Sequence, residues 1–147
     1  MRTVKHLLET KAVEGNHAAV FSIGPDASVI DAIRLMADKG IGAVLVLQAG
    51  KLVGILSERD YARKIALRGR ASADTPVRDI MTADVVRVGL SDGVDFCMQL
   101  MTAKRIRHLP VSDGDAIVGV ISIGDLVKAV IEDQQLELDQ LQRYIAS

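Results

Sequence analysis

The sequence predicts an α+β fold made by duplicating one strand, helix, hairpin, helix unit, and two observations predict it. Residues 20–66 overlay residues 85–131 without a gap at a constant offset of 65: Val29/Val94, Leu35/Leu100, Met36/Met101, Lys39/Lys104, Ile41/Ile106, Val46/Val111, Val53/Val118, Gly54/Gly119, Ser57/Ser122 and Asp60/Asp125 coincide. Within each copy, short β-branched apolar runs alternate with longer stretches whose apolar residues recur at helical spacing.

Taken in order, Val20 to Ile23 reads as a short extended segment, and Pro25-Asp26-Ala27-Ser28 supplies turn and cap residues. A helix follows, because Val29, Ile30, Ile33, Met36 and Ala37 keep helical spacing until Lys39-Gly40, a basic residue and a glycine that make a conventional C-terminal stop. Ala43 to Leu47 is an apolar run, Gln48-Ala49-Gly50-Lys51 a turn, and Leu52 to Leu56 a second run, which together predict a hairpin. A second helix starts near Glu58 and runs through Tyr61, Ile65 and Ala66. The second copy repeats the order: an extended Val85 to Val88, a helix from about Gly93 to Lys104, strands at His108 to Val111 and Ile117 to Ile121 around the turn Ser112-Asp113-Gly114-Asp115, and a helix from about Gly124.

Each copy has a short preface, Val4-Lys5-His6-Leu7-Leu8 and Val77-Arg78-Asp79-Ile80-Met81, expected to pack on its own repeat. The stretch from Arg68 to Pro76 is small, polar and turn-rich and marks a linker. The expected domains are therefore residues 1–67, the first repeat with its preface; 68–76, the linker; 77–131, the second repeat; and 132–147, a C-terminal helical extension. In that extension Leu136, Leu138, Leu141, Tyr144 and Ile145 keep roughly helical spacing, which suits either a helix folded back on its own core or a dimer contact.

At 147 residues, 49% hydrophobic and 25% charged, the chain has the composition of a folded soluble protein, although either half alone would be marginal. A net charge of -1 gives no global field that recruits nucleic acid or anionic lipid. Aromatics at 3%, with no Trp, remove the stacking platforms of a single-strand binder. The one cysteine, Cys97, cannot form an internal disulfide, and no basic start leads into a long apolar segment, so a reduced, cytoplasmic location off the membrane is expected.

Chemistry concentrates at Ser57-Glu58-Arg59-Asp60 and Ser122-Ile123-Gly124-Asp125, where a buried strand ends and a helix opens. Ser-x-x-acid ahead of an apolar helix is a capping box, in which the hydroxyl accepts a helix N–H and the acid reaches back. The same geometry offers free N–H groups to a phosphate and a carboxylate to a ribose diol, so cap and nucleotide site both remain open here. Catalysis has little support. His6, His17 and His108 lie at no metal-ligand spacing, Cys97 has no Cys or His partner, and neither a Gly-x-Ser-x-Gly elbow nor a Gly-rich phosphate loop occurs. The basic stretch from Arg63-Lys64 to Arg70 carries four charges, weak grounds for a nucleic-acid module.

Two copies of strand, helix, hairpin and Gly-h-h-Ser-x-x-Asp exit, with Val77-Arg78-Asp79-Ile80-Met81-Thr82 and Arg107-His108-Leu109-Pro110-Val111, resemble a tandem CBS-domain pair, a Bateman module of the stand-alone bacterial type. The resemblance spans about Thr3 to Ile131 and lies in the ensemble of motifs. It implies two β-α-β-β-α units packed about a pseudo-twofold axis, with clefts for an adenosine nucleotide: AMP foremost, then ADP, ATP or NAD, with no metal required. By that resemblance Asp60 and Asp125 would hold the ribose and the hydroxyls of Ser57 and Ser122 would lie near the phosphate or ribose. Arg107 and His108, just before Leu109-Pro110, would meet phosphate, and aliphatic walls including Ile23, Val86 and Val88 would enclose adenine. The expected role is a non-catalytic regulatory sensor that acts through an unknown regulated protein or as a homodimer; a ligand-free interaction domain is the alternative.

The copies are not equivalent. Where the second has Arg107-His108 the first has Gly42-Ala43, and where the first has Arg59 the second has Gly124, which leaves room for close backbone approach. Stronger phosphate binding is therefore expected around Asp125.

Overall fold

The computed structural model describes residues 2–13 and 20–146. They form, in chain order, α1 (Val4–Val13), β1 (Ser22–Ile23), α2 (Val29–Lys39), β2 (Ala43–Gln48), β3 (Lys51–Ser57) and α3 (Glu58–Tyr61), which a π-helical turn at Ala62–Ala66 continues. A 3-10 turn at Val77–Asp79 precedes β4 (Val88–Gly89), α4 (Val94–Lys104), β5 (His108–Asp113), β6 (Ala116–Ser122) and α5 (Ile123–Ala146). The predicted elements are all present in a mixed α and β fold, but β1 is shorter than the expected Val20–Ile23, β4 lies at Val88–Gly89 instead of Val85–Val88, and the first preface is a ten-residue helix instead of a single turn.

Each repeat builds a three-stranded sheet in which a short parallel strand and a hairpin flank the central strand, in the orders β1-β2-β3 and β4-β5-β6. The registers match across the duplication: Val46 lies opposite Gly54 and Val111 opposite Gly119, with a bulge following in each case. Central strand β2 reads as a near-continuous apolar run, and β5 is apolar at Leu109, Pro110 and Val111, where each is buried. In the first repeat the core joins Val29, Ala32 and Met36 of α2 to Val44, Val46, Leu56 and Ile65. In the second, Val94, Cys97 and Met101 of α4 are buried, as are Leu109, Val111, Ile121, Leu126 and Ala129.

The prefaces do not pack on their own repeats. Two compact units form: Val20–Val86, and Met1–Ala19 with Arg87–Ser147. The segment before the second repeat closes the first. There, Val29 N–H donates to the Thr75 carbonyl, Val77 N–H to Ala27 and Arg78 N–H to Pro25, and Val77 and Ile80 join the core. The segment before the first repeat closes the second by the corresponding bonds: Val94 N–H donates to Arg2, Val4 N–H to Asp92 and Lys5 N–H to Leu90. Val4 and Leu7 are buried there.

The hairpin glycine in each unit makes room for this exchange. A Cβ at Gly54 would lie 2.5 Å from the Met81 sulfur and 3.1 Å from the Thr82 carbonyl oxygen, and one at Gly119 would lie 2.8 Å from a Leu8 methyl. These glycines are where a foreign segment crosses the strand.

The duplication also places unlike residues in one backbone conformation. Gly40 ends α2 at φ 63, and Arg105, its counterpart, ends α4 at φ 54, both left-handed. Such a φ costs an L residue roughly 1–2 kcal/mol, and the Arg105 side chain is exposed. Arg105→Gly is expected to stabilise the protein by about 1 kcal/mol, measured as a higher urea midpoint at constant slope.

Candidate functional site

Both Ser-x-x-Asp turns are complete capping boxes. In the first repeat, Asp60 N–H donates to the Ser57 hydroxyl oxygen at 3.2 Å, and Ser57 N–H donates to Asp60 Oδ2 at 2.9 Å. In the second, Asp125 N–H donates to the Ser122 oxygen at 3.2 Å and Ser122 N–H to Asp125 Oδ2 at 2.8 Å. The residue ahead of β2 and its counterpart ahead of β5 tie the turn to the sheet: Glu58 N–H donates to the Gly42 carbonyl, and Ile123 N–H to that of Arg107. The motif therefore holds the strand exit and the helix start as one rigid piece.

The structure adds a lysine to each turn. Lys11, at the end of α1, reaches Asp125 Oδ2 at 3.0 Å and the Val120 carbonyl at 3.1 Å, with both side chains about one-fifth exposed. Lys64, in the π turn, lies 3.6 Å from Asp60 Oδ1 and donates to the Ile80 carbonyl at 2.9 Å. Lys64 was legible as an i, i+4 partner of Asp60. Lys11 was not, because it reaches Asp125 only through the exchanged preface. Among the described residues, the hydrogen bonds that the Asp125 carboxylate accepts fall on Oδ2.

Other candidate residues divide by burial. His108 is half-buried and registers against Ser122 across the hairpin, while Arg107 and Gly124 are exposed beside it. Arg59 is exposed beside Asp60, and Ile23 and Val86 are half-buried. Val88, Leu109 and Pro110 are buried, which makes them supports of the sheet at this point rather than exposed walls. His17 lies outside the described residues. Among the described residues no cluster of three His, Cys, Asp or Glu side chains has the arrangement of a metal site.

Burial lowers the His108 imidazole below its usual 6.5; Asp125 acts in the opposite direction, and Lys11 and Arg107 add to the lowering. The unfolded chain then takes up this proton before the folded one does. Stability from His108 is thus complete above pH 6.5 and is lost as the pH falls from there through the folded value. His108→Gln is expected to flatten the decline in Tm between about pH 7 and 5 relative to wild type. Burial likewise pushes the Cys97 thiol up to about 11, with Asp92 adding to it, so this thiol is a core residue rather than a nucleophile.

The family model for the CBS domain matches residues 16–67 and 77–132. A solved structure of a protein with CBS domains from Burkholderia ambifaria is 50% identical, with a TM-score of 0.84, over 90% of this chain and 96% of that one. The mitochondrial CBS domain-containing protein CBSX3 of Arabidopsis thaliana is 43% identical over 82% of this chain, which spans only 61% of that relative. At 21% identity, which bears on fold alone, the CBS domain pair of protein MJ0100 superposes with a TM-score of 0.76 over 90% of this chain and 98% of that one. It was solved with 5'-methylthioadenosine and S-adenosyl-L-methionine. No helix among the described residues is long and apolar enough to cross a membrane.

Proposed function

The chain belongs to the CBS-domain family as a tandem pair, and we propose that it is a regulatory module that binds an adenosine nucleotide, AMP foremost, and passes occupancy to a partner protein or a second copy. One observation carries this reading. Asp125 is held by its capping box and by Lys11, both of which donate to Oδ2 among the described residues, and a half-buried carboxylate fixed through one oxygen is suited to accept a ribose hydroxyl on the other.

Arg107, His108 and the exposed backbone at Gly124 sit around the same turn, a composition suited to phosphate. In the first repeat Asp60 offers the carboxylate, with Arg59 and Lys64 in place of the Arg-His pair. The ligand would act by binding one arrangement of the chain more tightly than another, and it shifts the balance only by that difference. No catalytic step is needed. A reducing, cytoplasmic setting suits the solitary buried thiol of Cys97.

Thermal denaturation with AMP, ADP, ATP and NAD tests the reading. A ligand present at about 100 times its Kd adds about 2.7 kcal/mol and raises Tm. A Tm unmoved by all four would favour the second reading, an interaction domain that holds no nucleotide.

A further inference from the structure

From Gln134 to Ala146, α5 leaves its own core behind: only Asp139 in this stretch is even half-buried. The helix is seated as far as Asp133. Leu126 and Ala129 are buried, and Arg2 bridges Glu132 at 2.6 Å and Asp133 at 2.8 Å. Folding back on its own core, one of the two expectations for this segment, does not occur.

The projecting stretch is not a polar helix. Val127, Ile131, Gln134, Leu138, Leu141 and Ile145 follow one another in alternating steps of four and three, the spacing of the seam of a coiled coil. Its apolar members are outward: Ile131 is 59% exposed, Leu138 53%, Leu141 54% and Ile145 72%. The seam runs about 27 Å at 1.5 Å per residue. A projecting helix of this length is marginal in water without a covered face.

We infer that this face pairs with the same face of a second copy of the chain, as a short parallel coiled coil. Charge distinguishes a second copy from a different helix. The positions flanking the seam are Lys128, Val130, Gln135, Glu137, Gln142 and Tyr144, so only two of the six carry charge. In parallel pairing Glu137 faces Gln142 of the other copy and Val130 faces Gln135, so no like charges meet. Glu132, Asp133, Asp139 and Arg143 lie off the seam and its flanks. A partner chosen by charge would call for charged flanks, and this seam lacks them.

Gln134 narrows the choice further. It is the single polar residue in the seam, and two copies in register set it against itself, amide to amide, with donor meeting acceptor. An apolar partner helix would leave that amide unpaired. The seam is short beside a standard interface, so association is expected to depend on concentration.

Sedimentation velocity of the full chain from about 1 to about 100 µM tests this. The expected result is a mass that rises to twice 15.8 kDa, and a Leu138→Glu/Leu141→Glu variant of half the wild-type mass at the highest concentration. Leu136→Glu, on the same exposed stretch but off the seam, is expected to keep the wild-type mass, and all forms the same main thermal transition. Chain mass for wild type at every concentration would overturn the inference and leave the face to a different protein. An undiminished mass for the double variant, or an equal drop for Leu136→Glu, would overturn it as well.

Discussion

Truncating Leu7 to Ala is expected to destabilise the second repeat by about 2–5 kcal/mol and to leave the first repeat's own sheet almost untouched, although Leu7 lies ahead of both. Its side chain is buried, 5% exposed, in the unit that holds β4, β5 and β6. The reciprocal change is Ile80→Ala, which precedes the second repeat but is wholly buried in the core with Val29, Met36 and Leu56. A loss of similar size is expected there, borne by β1, β2 and β3.

Native-state hydrogen exchange separates the two. In the Leu7 variant, faster exchange should appear at Leu109, Val111 and Ile121, with Leu45 and Val46 protected as in wild type; the Ile80 variant should show the opposite pattern. If each variant loosened the repeat that follows it in sequence, the assignment of prefaces would be wrong.

The second large effect concerns the two aspartates. Asp125→Asn is expected to weaken binding of an adenosine nucleotide more than Asp60→Asn does, by about 1.5–3 kcal/mol or roughly 10- to 150-fold in Kd. The aspartates are the third helical residue of each capping box, where an asparagine side-chain oxygen can still accept the serine N–H, so either variant is expected to stay folded. The ranking follows from surroundings. Asp125 has Lys11 at 3.0 Å and His108 opposite Ser122, whereas Asp60 has Lys64 at 3.6 Å and a Gly-Ala pair where Arg107-His108 would be. Isothermal titration of both variants decides it, and an equal loss, or a larger one from Asp60→Asn, rejects the ranking.

Much of this was legible because it is local. A helix stop at Lys39-Gly40, a turn at Ala49-Gly50 and a Ser-x-x-Asp cap are each written within a few residues of where they act, and each appears in place. The duplication then carried every local reading to its counterpart at the second repeat. What local pattern does not encode is pairing over distance. Val4-Lys5-His6-Leu7-Leu8 reads as an apolar-faced turn wherever it docks, and nothing in those residues names β6 as its destination. Lys11 was missed for the same reason, being 114 positions from Asp125. The burial of Val88, Leu109 and Pro110 was hidden too, because strand residues alternate or not according to what covers each face.

The exchanged prefaces also set an order in time on the ribosome. The first repeat waits only for Ile80 and Met81 to emerge before its sheet is closed. By contrast α1, made ahead of both repeats, is seated on its sheet only once β6 has been synthesised about a hundred residues later, roughly 5–20 s at ordinary elongation rates. During that interval Val4 and Leu7 are exposed apolar side chains on a nascent chain whose other repeat can already be folded. A segment synthesised ahead of both repeats is thus buried only after the second is made, and the step that buries it also brings Lys11 to Asp125.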